Sequence, residues 1–99
     1  METINNERVV FFDVDGTLLD VNANRELYNK YKYNIDQVKR HKERGFFVVI
    51  WSANGYDHAF WAVERLGLTD YVDQIMTKPN SYFDDKDAND WMKRVHVDG

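Results

Sequence analysis

Residues 9–20 read VVFFDVDGTLLD, and this stretch decides the fold. Four apolar residues, β-branched and aromatic, run into two aspartates one residue apart. A glycine, a threonine and two leucines follow. Residues 8–13 carry the signature of a strand buried on both faces of a parallel sheet. Asp13 stands where that strand must end, and in an open parallel sheet ligands bind outside the carboxyl ends of the strands. Gly16 frees the backbone to turn just after Asp15. Two carboxylates this close repel, and they stay ionised together beside a cation. The pattern points to a hard divalent metal, most naturally Mg²⁺, which takes few protein oxygens and leaves room for phosphate. A carboxylate is also a nucleophile: attack on phosphorus gives an aspartyl phosphate and divides one hard displacement into two easier ones. The second carboxylate then protonates the leaving oxygen and later takes a proton from water. The plainer reading of the same pair is a turn with an Asx cap.

Outward from this stretch the chain alternates. FFVVIWS, residues 46–52, has the same strand signature and ends in the small polar Ser52. Between the two strands, residues 34–45 predict a helix. Asn34 is its N-cap, Gln37 stands at the capping-box position, Ile35 and Val38 start an apolar stripe, and Gly45 sits at the stop. Residues 56–67 predict a second helix with Ala59, Ala62, Val63 and Leu66 on one face and Gly67 at its end. Strand, helix, strand is a βαβ unit whose crossover is right-handed. Residues 71–76 predict a third strand, 81–85 a short fourth, and 87–95 a closing helix. Residues 18–33 read as loop or short irregular turns. The expected fold is α/β: a Rossmann-like three-layer sandwich with a small, mostly parallel sheet, in one domain spanning residues 1–99. Ser52 precedes a helix, so its hydroxyl and the N–H groups of Ala53 and Asn54 can cradle an anion. It can equally cap that helix, and do both. Lys78 is a point-charge partner for phosphate, or an ordinary surface lysine.

DVDGT, residues 13–17, resembles the first motif of the haloacid dehalogenase (HAD) superfamily, whose members are mostly Mg²⁺-dependent phosphatases. Further segments resemble its later motifs in order: VVIWSANG ending its strand at Ser52, TKP with Lys78, and YFDD with Asp84 and Asp85. The resemblance covers roughly residues 8 to 90. It implies Asp13 as nucleophile and metal ligand, and Asp15 as acid/base with its backbone carbonyl on the metal. Thr17 and Ser52 would bind the phosphoryl group, and Lys78 would offset its charge. Asp84 would hold the metal, with Asp85 as a closer or outer carboxylate. It implies a HAD-like domain without a cap, since residues 18–33 suffice for a helical turn and a flap only. Five residues separate Lys78 from Asp84, fewer than the dozen or so that a parallel crossover needs. Either the third strand ends well before Lys78 or the segment crosses the carboxyl edge extended. Ala88 and Asn89 stand where that family often has another acid.

Composition bounds the function. In 99 residues, 43% hydrophobic and 15% aromatic content supports one compact core. No apolar run approaches the ~20 residues of a membrane span, METINNERVV lacks a signal-peptide pattern, and there are no cysteines. These features lead to the expectation of a cytoplasmic protein. A net charge of −4 argues against strong nonspecific nucleic-acid binding. KRHKER, residues 39–44, reads as a solvated helix face. The expected function is a Mg²⁺-dependent phosphomonoesterase acting on a small phosphorylated molecule or a terminal phosphate. The alternative is a regulatory phospho-binding module, phosphorylated on Asp13 without turnover; the presence of Asp15 argues for turnover. An open site would be covered by a second subunit, favouring a homo-oligomer, or by a large substrate. Tyr56, His58 and the 18–33 flap would then border the opening. His58 is otherwise a solvated histidine, Asp84 and Asp85 otherwise cap a helix, and Trp51, Trp61 and Trp91 are core residues.

Overall fold

The structure, a computed structural model, describes residues 8–19 and 31–95. Three parallel strands form its sheet in the order β1 (Val9–Asp13), β2 (Phe47–Ser52), β3 (Gln74–Thr77). Helix α1 (Lys32–Glu43) lies in the chain between β1 and β2, and α2 (Tyr56–Arg65) between β2 and β3. Val10 pairs with Val48 and Phe12 with Ile50; Ile50 in turn pairs with Ile75. Both helices end as the sequence predicts. Phe46 N–H donates to the His41 carbonyl at 3.0 Å and Leu68 N–H to that of Val63 at 2.9 Å. These are the long-reach bonds of Schellman closures at Gly45 and Gly67.

Side chains alternate across a strand, so one face of the sheet carries Val10, Phe12, Val48, Ile50 and Ile75. Ile35 and Val38 from α1 and Ala59, Ala62 and Val63 from α2 pack into one core with them, together with Leu68. Val48, Ile50, Val38, Ala59, Ala62 and Leu68 are completely buried. The other face carries Val9 and Phe11, both exposed, Trp51 and Met76, partly so, and Val49, which is buried at the middle of the central strand. Phe11 and Trp51 rings lie 4.2 Å apart there. Among the described residues no helix covers this face, so the described architecture has two layers rather than the expected three. The reason is topological. Both crossovers step in one direction across the sheet, and crossovers of one hand that do so place their helices on one side.

Three local expectations are corrected. The first helix begins at Lys32, so Asn34 lies inside it with its side chain buried, and does not cap it. The third strand starts at Gln74, because Thr69–Tyr71 turns as a 3₁₀ helix with Tyr71 N–H on the Leu68 carbonyl. Residues 81–85 form no strand and 87–95 no helix beyond the 3₁₀ turn Ala88–Asp90. The link from β3 is too short to cross over to another parallel position. Its polar groups bond locally instead. Asp84 Oδ1 accepts Lys86 N–H at 3.0 Å, and the Tyr82 hydroxyl accepts Ala88 N–H at 2.8 Å.

The end of the sheet opposite the strands' carboxyl ends is tied by Asp73. Its carboxylate accepts from Lys42 Nζ at 2.6 Å and from Val48 N–H at 2.8 Å. KRHKER therefore supplies more than a solvated face. Lys42 joins α1 to the start of β3, and His41 packs edge-on against Phe12 and Phe46. Burial alone would raise the Asp73 carboxyl. The two hydrogen bonds and the Lys42 charge outweigh it, leaving the group below its ordinary value. No helix among the described residues is long and apolar enough to cross a membrane.

Candidate functional site at the carboxyl edge

The turn after β1 alternates between core and edge. Val14, Leu18 and Leu19 are buried, while Asp13, Asp15 and Thr17 are only partly so. The Val14 carbonyl accepts N–H groups from Thr17 at 3.1 Å and Leu18 at 2.8 Å, and Gly16 N–H reaches the Leu19 carbonyl at 2.8 Å. Gly16 takes φ 85°, a turn conformation that costs a residue with a Cβ. Apolar anchors thus hold the polar residues at the sheet's edge. The buried Asn34 adds to this: its Nδ2 donates to the Thr17 carbonyl at 2.9 Å, fastening the turn to α1.

The register aligns three strand ends. Asp13 pairs with Trp51, and Ser52 pairs with Thr77, so Asp13, Ser52 and Lys78 follow one another along the edge. Neighbouring strands are about 4.8 Å apart. Ser52 is the hub of this edge and is buried. Its carbonyl accepts N–H groups from Gly55 at 3.1 Å and Lys78 at 2.9 Å, and its Oγ accepts Asn54 N–H at 3.0 Å. It organises the turn before α2 without capping that helix, whose N-cap is Gly55. The hydroxyl proton of Ser52 is left to donate. Ala53 is exposed in the same turn. Lys78 directly follows β3, so that strand does not end well before it. Its Nζ stands 5.7 Å from the centroid of the Trp51 ring, the register neighbour of Asp13.

Asp15 has partners that sequence reasoning did not assign. Asn54 Nδ2 donates to its Oδ2 at 2.6 Å, and His58 Nε2 lies 3.0 Å from its Oδ1. An ionised carboxylate only accepts, so the imidazole donates through Nε2–H. The side chains of His58 and Asp15 are 21% and 31% exposed, so this contact is partly shielded from water. His58 in turn stacks on Trp61, ring centroids 5.6 Å apart, with the Arg65 guanidinium 5.9 Å from the Trp61 centroid. Asn54 therefore commits its backbone N–H to Ser52 and its side chain to Asp15. Trp61 and Trp91 are exposed rather than core residues. Tyr56 is exposed and stacks against Phe60. Of the expected flap, Leu18, Leu19 and Tyr31 belong to the core, and residues 20–30 lie outside the described residues.

Asp84 and Asp85 lie in the exposed segment after β3. Among the described residues no group of three or more His, Cys, Asp or Glu side chains stands together as a metal site. The edge itself offers hard oxygen donors in the carboxylates of Asp13, at the end of β1, and Asp15, in the turn after it. That donor chemistry fits Mg²⁺, which binds through one or two carboxylates and completes its shell with water and phosphate oxygens.

A family model described as "Protein of unknown function (DUF705)" matches residues 1–98. No curated protein and no solved structure matches the chain. The expectation of HAD superfamily membership, raised by DVDGT and the segments after it, is corrected by this match; nothing in the comparisons points to that superfamily. Short motifs at strand ends encode local chemistry, and local chemistry recurs on unrelated chains. The chain belongs to the DUF705 family, a family of unknown function.

Proposed function

We propose that the carboxyl edge of this sheet hydrolyses phosphomonoesters through an aspartyl phosphate on Asp13, with Mg²⁺ as cofactor. The observation that carries the reading is the pair Asp13 and Asp15 at the end of β1, with the second carboxylate held on both oxygens beside Ser52. A mere Asx turn needs no such hold on Asp15 from α2 and the turn before it.

In the proposed reaction a carboxylate oxygen of Asp13 attacks phosphorus. The bond from phosphorus to the leaving oxygen breaks, and that oxygen takes a proton from Asp15, which enters this step as the carboxylic acid and leaves it as the carboxylate. Asp15 then takes a proton from water, whose oxygen attacks the aspartyl phosphate. The bond to Asp13 breaks, phosphate leaves, and both carboxyl groups are restored. The Ser52 hydroxyl, the Ala53 N–H and the Lys78 ammonium are the groups proposed to hold the phosphoryl oxygens; Thr17 adds a hydroxyl from the turn. Mg²⁺ would be held by the Asp13 carboxylate and the Asp15 backbone carbonyl, and would supply neutralisation of phosphoryl charge. Catalysis of this kind is mostly positioning and charge stabilisation. The substrate class is a phosphomonoester, either small or a terminal phosphate on a larger molecule.

The test is phosphate release from an aryl phosphate with and without Mg²⁺. Metal-dependent release that Asp13→Asn abolishes, with the fold unchanged by circular dichroism, supports the reading. Full activity in Asp13→Asn refutes it.

A further inference from the structure

We infer that Asn54 and His58 are positioning residues for Asp15, and that Trp61 holds His58 in place for that task. The inference rests on the phosphomonoesterase reading and goes beyond it by assigning what sets the proton-transfer group.

A carboxylate on a turn has a free χ1 and a nearly free χ2, so a proton donor there must be fixed by outside contacts. Asp15 is held at both oxygens, by Asn54 at 2.6 Å and His58 at 3.0 Å. Two donors on two different oxygens fix the plane of the carboxylate as well as its place. Each oxygen keeps a second lone pair, so the hold does not consume the position from which a proton is given or taken.

The holders are themselves held. The Asn54 backbone N–H is bonded to Ser52 Oγ, which ties its side chain to the end of β2. His58 lies in the first turn of α2, and Trp61, one turn on, covers its ring. The next turn brings Arg65 to Trp61. The series Asp15, His58, Trp61, Arg65 runs from the edge along one helix face. His58 Nε2 is directed at Asp15 and its ring rests on Trp61, so it is spoken for as a structural donor and not as a substrate contact.

Misplacing a reacting group by about 1 Å can cost ~100-fold in rate. The effect belongs to the step that needs the proton. Alkyl leaving groups need protonation by Asp15; a good aryl leaving group hardly does. The experiment measures single-turnover release of the leaving group from a series of aryl and alkyl phosphates, using the wild-type chain, His58→Ala, His58→Gln, Asn54→Ala and Trp61→Ala. Release from alkyl phosphates is expected to fall about 10- to 100-fold in His58→Ala and Asn54→Ala. The fall from aryl phosphates is expected to be under about threefold, and KM to stay nearly constant. His58→Gln, which keeps an N–H donor, is expected to recover much of the loss. Trp61→Ala is expected to show the same leaving-group pattern in weaker form. Equal losses for all leaving groups, or a raised KM at constant rate, overturn the inference.

A second readout is independent of turnover. Long-range ¹H–¹⁵N spectra of the imidazoles are expected to show the Nε2–H of His58 protected from exchange in the wild-type chain and exchanging freely in Asp15→Ala. No difference between the two overturns the pairing. Absence of any turnover in the wild-type chain refutes the phosphomonoesterase reading instead, and the spectra then decide the pairing alone.

Discussion

Ile50 stands at the middle of the central strand, completely buried, on the face that receives both helices. Ile50→Ala removes three carbons from a site closed on every side. At about 0.8 kcal/mol per carbon the lost transfer energy is ~2.4 kcal/mol. The cavity left between strand and helices adds to it, and Ile→Ala changes of this kind cost about 2–5 kcal/mol in all. We expect about 3.5 kcal/mol. Domains of this size carry roughly 5–15 kcal/mol in total, and each kcal/mol moves the midpoint by about 4–8 °C. The variant is therefore expected to melt about 14–28 °C below the wild-type chain. Val9→Ala is the control. Val9 is 48% exposed on an edge strand and faces away from the helices. It is expected to cost about 0.8 kcal/mol, half the transfer energy of its two carbons. Urea unfolding followed by far-UV circular dichroism reads both, with an unchanged m-value as the condition for comparing midpoints. If the two variants fall within 1 kcal/mol of each other, the one-sided core described above is wrong.

Three more outcomes follow from the same contacts. Asn34→Ala removes the buried donor to the Thr17 carbonyl and is expected to cost about 1–3 kcal/mol in urea unfolding, with faster amide exchange in the 13–19 turn as the local sign. Gly55 takes φ 106° and ψ 167°, a conformation open almost only to glycine, with nothing within 4 Å of where a Cβ would stand. Gly55→Ala is thus expected to cost about 1–3 kcal/mol through the backbone alone. Asp73 has its carboxyl below the ordinary 3.8 in the folded chain, so the folded state binds fewer protons there than the unfolded one. The contribution is fully present above that value and is lost as pH falls through the lower, folded value. The stability difference between the wild-type chain and Asp73→Asn is therefore expected to shrink as pH is lowered from about 5 through 3.8 and below, and a difference that widens would contradict the assignment.

Much of this arrangement was legible in the residues, and the reasons differ from place to place. β1 and β2 are continuous apolar runs that end at polar residues, a pattern with few other solutions. Ile35 and Val38, and Ala59, Ala62 and Val63, lie at helical spacing and are core residues. Asp13, Ser52 and Lys78 share the carboxyl edge because parallel strands bring their ends together. Other features depend on partners far away in the chain. Asn34 has the chemistry of a cap, but its partner is Thr17, and the helix starts earlier. Asn54 and His58 meet Asp15 across 39 and 43 residues, and no local spacing links them. Tyr82, Phe83 and Trp91 have strand and helix character but stay exposed in the segment after β3, whose link is too short to cross over to another parallel position. The DVDGT resemblance was informative about which residues gather at a strand end and misleading about membership, since a pentapeptide records chemistry more directly than descent.

The central claim is that Asp13 carries the phosphoryl group. It is tested most directly by trapping the intermediate. The chain is turned over with a ³²P-labelled phosphomonoester and Mg²⁺, quenched in acid, treated with borohydride and digested, and the peptide spanning the 9–20 stretch is analysed by mass spectrometry. An acyl phosphate is reduced to an alcohol, whereas a free carboxylate or a phosphoserine is not. The account predicts label in the quenched protein before reduction, and reduction of the side chain at position 13 alone. Turnover that proceeds with no reduction at Asp13, or with label on Ser52 or Thr17, would contradict it.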